Sequence, residues 1–188
     1  MDGEDALEVK RQLFHLLNGS AIAVEVYLLK PLWGLWVLAP LLAAILLLYA
    51  LPKYMAGWGL VKFLMQHFER RKDIETFPFR GAILYGVGII FPIAFLDVRY
   101  GCAVILILSF GDAFSTLVGR RYGRIKVGKR SVEGSAAFLL TSILPAALLV
   151  GLPHAIILSL AGTVIELFDP FDDNVTVPLG LTLLSLLL

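Results

Sequence analysis

Cysteine is nearly absent from this chain: Cys102 stands alone in an apolar stretch, so an intramolecular disulfide and a multi-cysteine metal site are both excluded. Charge is scarce as well. Asp, Glu, Lys and Arg make up 16% of 188 residues, against about 25% in soluble globular chains. The 16 Lys and Arg nearly cancel the 15 Asp and Glu, and a net charge of +1 argues against a nucleic-acid binder. No G-x-x-x-x-G-K-[ST] run occurs, which excludes a P-loop, and there is no long internal repeat or low-complexity linker. What remains is apolar. Hydrophobic residues reach 59% and mean hydropathy is +0.84, the composition of an integral membrane protein.

A helix needs about 20 predominantly apolar residues to cross a bilayer. Stretches of this kind lie near 12–29, 32–51, 80–97, 99–119, 133–151, 153–168 and 174–188, the fifth and sixth divided by the turn signal Gly151-Leu152-Pro153-His154. The expected fold is therefore all-α and polytopic, with about seven transmembrane helices in one domain over residues 1–188. The cations support the count. With the N-terminus in the cytoplasm, Lys10, Arg11, the 53–80 connection and the 119–132 loop hold 14 of the 16 Lys and Arg on the cytoplasmic side, leaving Lys30 and Arg99 outside. The first nine residues are acidic and no A-x-A-like site stands out, so the first span is expected to be retained. Residues 53–80 alternate Trp58, Leu60, Phe63, Leu64 and Phe68 with Lys62 and Arg70, a pattern that suits either a helix on the membrane surface or a plain positive-inside anchor.

Acidic residues within apolar spans are costly and usually mark function. Asp112 lies about 10 Å inside the fourth span at 1.5 Å per residue, and Ser115, Thr116 and Gly119 follow it on one helix face. Glu133 opens the next helix just after Ser131, a placement that serves either capping or chemistry. Glu166 ends the sixth span, with Asp169, Asp172, Asp173 and Asn174 close behind. By this topology all these acids gather at the cytoplasmic face. Carboxylates and an amide oxygen suit a hard cation such as Mg²⁺, whose usual companion is a phosphate. The loop after the fourth span supplies matching charge in Arg120, Arg121, Arg124, Lys126, Lys129 and Arg130, interleaved with Gly119, Gly123 and Gly128. Membrane topology would account for many of these cations by itself.

At these residues the chain resembles the CTP-dependent isoprenoid-alcohol kinases, which include dolichol and phytol kinases. CTP-dependent diacylglycerol kinase and, more distantly, phosphatidate cytidylyltransferases are related to them. The resemblance rests on Gly111-Asp112-Ala113-Phe114-Ser115-Thr116-Leu117-Val118-Gly119-Arg120-Arg121-Tyr122-Gly123, on Arg130-Ser131-Val132-Glu133-Gly134-Ser135, on Glu166 followed by Asp173-Asn174-Val175-Thr176-Val177-Pro178, and on Arg11-Gln12-Leu13-Phe14-His15. Gln12 and Arg130 stand where lysine is usual in the family, although Lys129 adjoins the latter.

The resemblance implies transfer of the γ-phosphate of CTP, with Mg²⁺, to the hydroxyl of a membrane-embedded alcohol, dolichol or another polyprenol by preference. The enzyme would be a multi-pass cell-membrane protein with its active site facing the cytoplasm. Asp112, Asp173, Asn174 and Glu166 become the expected catalytic residues, and Asp112, Asp173 and Glu133 the expected metal ligands. Nucleotide contacts are expected from Arg11, His15, Ser115, Thr116, Gly119, Arg120, Arg121, Gly123, Arg124, Lys126, Lys129, Arg130, Ser131 and Glu133. His15, one turn after Arg11, suits a site residue and a packed histidine equally. Alternatives are a kinase of phytol, geranylgeraniol or diacylglycerol, a lipid cytidylyltransferase, and a small transporter. The transporter predicts acids throughout the membrane depth, whereas only Glu25 sits in the outer half.

Overall fold

A computed structural model describes residues 3–169 and 171–188. The chain is a bundle of helices: α1 (Gly3–Trp33), α2 (Leu38–Met55), α3 (Gly59–Phe68), α4 (Arg71–Thr76), α5 (Arg80–Phe95), α6 (Val98–Tyr122), α7 (Val132–Val150), α8 (Leu152–Phe168) and α9 (Asp173–Ser185). Between α6 and α7 lies a short antiparallel hairpin, β1 (Lys126–Val127) and β2 (Arg130–Ser131), in which Lys126 faces Ser131 and Val127 faces Arg130. Its two-residue turn starts at Gly128, whose φ of 58° is open to glycine at little cost.

The apolar stretches became helices because they are long and rich in Leu, Ala and Ile, and polar side chains cap the starts of α6, α7 and α9. The Asp97 carboxylate accepts the N–H of Arg99 at 2.8 Å and starts α6. Ser131 caps α7 by accepting the Gly134 N–H at 3.1 Å, and Asp172 caps α9 through the Asn174 N–H at 3.3 Å. Gly151, at φ 81°, makes the sharp α7–α8 turn expected there. Two boundaries differ from the sequence expectation. α1 begins at Gly3, so Glu8, Arg11 and His15 ride on one helix, and α6 continues to Tyr122, which places Arg120 and Arg121 on a helix end instead of in the loop.

Helix α6 is the hub. It packs along α7 and α1 and also touches α5, α8 and α9. Its Ile105, Ile107 and Leu108 are wholly buried with Phe138, Leu158 and Leu181 from the helices around it. Cys102 is part of this core, its thiol donating to the Ala23 carbonyl at 3.2 Å. Many large apolar side chains instead cover the outside, among them Leu46, Leu144, Leu148 and Leu187, the inverse of a soluble surface. By length and composition three helical stretches suffice to cross a membrane: Asp5–Met55, which contains α1 and α2, then Val98–Tyr122 and Val132–Val150; α5 and α8 are shorter apolar helices. The protein is an all-α membrane protein.

Candidate active site

Two cavities meet inside one end of the bundle. The first is an apolar groove of about 410 Å³ between α1 and α2, floored by α5 and overlaid at one end by Leu64, Phe68 and Phe79. The second, about 220 Å³, is almost wholly polar and is lined by Arg11, Arg70, Arg80, Arg130, Asp172 and Asp173 among others. Asp112 and Asn174 line both. A third pocket of about 150 Å³ lies beyond them, between the end of α6, the hairpin and the start of α7, with Ser115, Thr116, Gly119, Arg120, Lys126, Lys129 and Ser131 in its wall. Its depth depends on glycine at a helix crossing. A Cβ on Gly134 would lie 2.8 Å from the Ser115 carbonyl oxygen, closer than side chains pack.

Arg130 holds the acids together. Its Nε lies 3.0 Å from Glu166 Oε1 in an ion pair, and its Nη2 donates to Asp173 Oδ2. Burial works against this guanidinium's charge, but the nearby Asp173, Glu166 and Asp112 outweigh it and raise its pKa, so it stays protonated throughout the physiological range. Glu166 is 1% exposed and also accepts the Ser115 hydroxyl at 3.0 Å, which ties α8 to α6. Asn174 donates to Asp172 Oδ1 at 3.1 Å, and Asp172 pairs with Arg80 at 3.2 Å, tying α9 to α5.

The other wall is α1. His15 Nε2 lies 3.9 Å from Asp112 Oδ2 without a hydrogen-bond partner, and the ring packs edge-on against Tyr85 at 4.7 Å. Thr116 Oγ1 donates to Asp112 Oδ1 at 3.4 Å. The gap between His15 and Asp112 is too long for a direct hydrogen bond and suits a hydroxyl that touches both.

The expected residues thus separate into two groups. Asp112, Asp173, Asn174, Glu166, Arg11, His15, Ser115, Thr116, Gly119, Arg120, Lys126, Lys129, Arg130 and Ser131 all line this connected set of cavities. Arg121, Gly123, Arg124 and Glu133 line none of the three. Arg121 stacks over Tyr122, and Arg124 is exposed. Both Glu133 carboxylate oxygens accept the Ile125 N–H, at 3.2 and 3.3 Å, so Glu133 holds the hairpin's entry, a role closer to its capping reading than to metal ligation. Residues not foreseen are Glu8, Gln12, Arg70 and Arg80. Glu8 shares the α1 face of Arg11 and His15 by spacing alone, and only that periodicity signalled it.

A divalent cation fits the donor set, although no group of three or more His, Cys, Asp or Glu side chains poised to hold a metal occurs among the described residues. Mg²⁺ is commonly held by one or two carboxylates together with substrate phosphates and water. Asp112 and Asp173 supply the carboxylates. Asn174 Oδ1 is buried without a hydrogen-bond partner, an oxygen of the hard type such an ion takes.

The fold and site define a helical membrane protein in which an apolar groove and a cationic polar cavity share one buried carboxylate. Over most of its length the chain is similar to proteins named phytol kinase and CTP-dependent diacylglycerol kinase. It is 29% identical to a probable chloroplastic phytol kinase of Triticum aestivum over 96% of this chain and 67% of that protein. It is 28% identical to CTP-dependent diacylglycerol kinase 1 of Saccharomyces cerevisiae, covering 91% of this chain and 70% of the relative. Identity to a phytol kinase of Synechocystis is also 28%, over 95% and 78%. No family model matches the chain, and no solved structure does so significantly.

Proposed function

We propose that the protein transfers the γ-phosphate of CTP to the hydroxyl of a lipid alcohol, and the observation that carries this is the meeting of the two cavities at Asp112. An amphiphile lying with its tail in the groove brings its hydroxyl to Asp112 and His15. A triphosphate in the cationic cavity arrives at the same atoms from the water side. Phosphoryl transfer demands little beyond such positioning and charge neutralisation.

In the reaction the alcohol oxygen forms a bond to Pγ while the bond from Pγ to the β-phosphate bridging oxygen breaks, and CDP leaves. The hydroxyl proton passes to the Asp112 carboxylate, which lines both cavities. His15 orients the hydroxyl, and Arg11, Arg120, Lys126 and Lys129 neutralise the phosphates. Arg130 pairs with Glu166 and Asp173 and holds them in place. Asp173 and Asn174, beside Asp112, would hold Mg²⁺, which supplies further neutralisation of the phosphate oxygens when bound.

The acceptor is an isoprenoid alcohol. Two of the relatives above are named phytol kinases, and the groove extends from Arg11 to Glu25 along α1, about 20 Å at 1.5 Å per residue, the reach of several isoprene units. Phytol, geranylgeraniol and dolichol share the headgroup this site reads. Diacylglycerol is the second reading, favoured by the name of the yeast relative. The membrane arrangement that goes with this function has seven spans, formed by α1, α2 and α5 to α9, a cytoplasmic N-terminus, and the site on the cytoplasmic face of the cell membrane. Incubating the purified protein with γ-labelled CTP or ATP, Mg²⁺ and a panel of these alcohols tests the proposal. Label in the lipid with CDP as co-product is expected. Pyrophosphate release would make it a cytidylyltransferase, and an unlabelled panel would overturn the kinase reading.

A further inference from the structure

The mechanism above leaves one buried charge unused. Glu8, on the first turns of α1, is 3% exposed, and its carboxylate accepts hydrogen bonds from α1 and from the α3–α4 connection, with a cation of α6 close by. Arg70, in the connection between α3 and α4, grips it through Nε at 3.2 Å and Nη2 at 3.0 and 3.1 Å. Arg11 Nη1 adds 3.2 Å and Gln12 Nε2 3.0 Å from the same helix. Arg120, at the end of α6, lies 3.8 Å away.

A surface anchor would leave Arg70 in headgroup water. Instead this residue is held in the wall of the polar cavity, together with Arg11, Asp112 and Asp173. Glu8 engages only part of each guanidinium: Nε and Nη2 of Arg70, and Nη1 of Arg11. A guanidinium carries five N–H donors, so each retains donors for a second anion while held in one orientation. A fork pre-set in this way loses less entropy when it takes up phosphate oxygens.

We propose that Arg70 is a triphosphate ligand of the site and that Glu8 is the positioning residue that holds Arg70 and Arg11 toward the nucleotide. The inference rests on reading the cavity as the nucleotide site. It assigns to the 53–80 connection a part in substrate binding beyond its attachment to the membrane surface.

The test uses the full-length protein in detergent with inorganic tripolyphosphate and CTP as probes. Arg70→Gln and Glu8→Gln are expected to weaken binding of both by about ten- to hundredfold, the usual range for a charged hydrogen-bonding partner. In turnover, the KM for CTP should rise while kcat and the KM for the lipid stay near wild type. Equal losses toward CTP and lipid in Glu8→Gln would make Glu8 a structural tie and overturn its assignment. A folded Arg70→Gln variant with unchanged tripolyphosphate affinity would overturn that of Arg70.

Should either variant fail to fold, the wild-type protein decides. The Arg70 side chain is 41% exposed, open to phenylglyoxal, and tripolyphosphate should protect it in peptide mapping. Modification at an undiminished rate refutes the proposal. A wild-type protein that shows this protection but labels no alcohol would defeat the kinase reading while leaving the phosphate site standing.

Discussion

Asp112 is affordable at its depth only because α6 is surrounded by polar neighbours there. Thr116 donates to one of its oxygens, His15 stands near the other, and Arg130 holds the remaining acids. Replacing it with Asn keeps the volume and removes the proposed proton acceptor, so turnover should fall by about a hundred- to ten-thousandfold, read from labelled lipid. Glu69 makes a contrasting prediction. It is buried at the edge of the apolar groove with Oε2 unpartnered, and burial raises its carboxyl above the usual range. A carboxyl whose pKa is higher folded than unfolded costs stability as pH rises past the unfolded value, and the cost levels off above the folded one. Glu69→Gln should therefore raise the melting temperature at neutral pH, and the gain should vanish below about pH 4, where both states are protonated.

Among the elements, α5 and α9 show how backbone proximity sets the chemistry. A Cβ on Gly88 would collide with the Asn174 carbonyl oxygen and come within 2.8 Å of Pro178 Cγ. Only glycine lets α9 press that closely on α5 and bring Asp173 and Asn174 to the cavity. Gly88→Ala should force the helices apart, cost roughly 1–3 kcal/mol in unfolding as overpacking does, and depress turnover by moving Asn174. Gly81, Gly86 and Gly88 mark a small face on α5 in the sequence, but not the helix that packs on it. Spacing marks a face as small without naming the helix that occupies it. The hairpin teaches a related lesson. Its cations all looked equivalent in the loop, yet pairing Val127 with Arg130 sends Arg130 inward to Glu166 and Asp173 while Arg124 stays in solvent.

For the whole molecule, the decisive question is which side of the membrane carries the site. Cysteines replacing Lys126 and Lys10 should react with an impermeant thiol reagent applied from the cytoplasmic side alone, and one replacing Lys30 from the opposite side alone; native Cys102 is buried and gives little background. Labelling of Lys126→Cys from outside would invert the proposed arrangement. The exposed leucines on α2, α7 and α9 lie on the outside of the bundle, and Asp112 and Glu166 are buried within it.

Composition and hydropathy determined that this chain is helical and membrane-bound, because a run of apolar residues in lipid must satisfy its backbone within itself. The spacing of the apolar stretches also led to the expectation that Asp112, Glu166 and Asp173 gather at one face. Tertiary structure alone decided the partners: Arg130 between two acids, Glu133 on a backbone N–H, Glu8 gripping Arg70 from 62 residues away. The reason is that local pattern reports what each segment buries, whereas an ion pair forms between whichever side chains the packing of distant helices brings within reach.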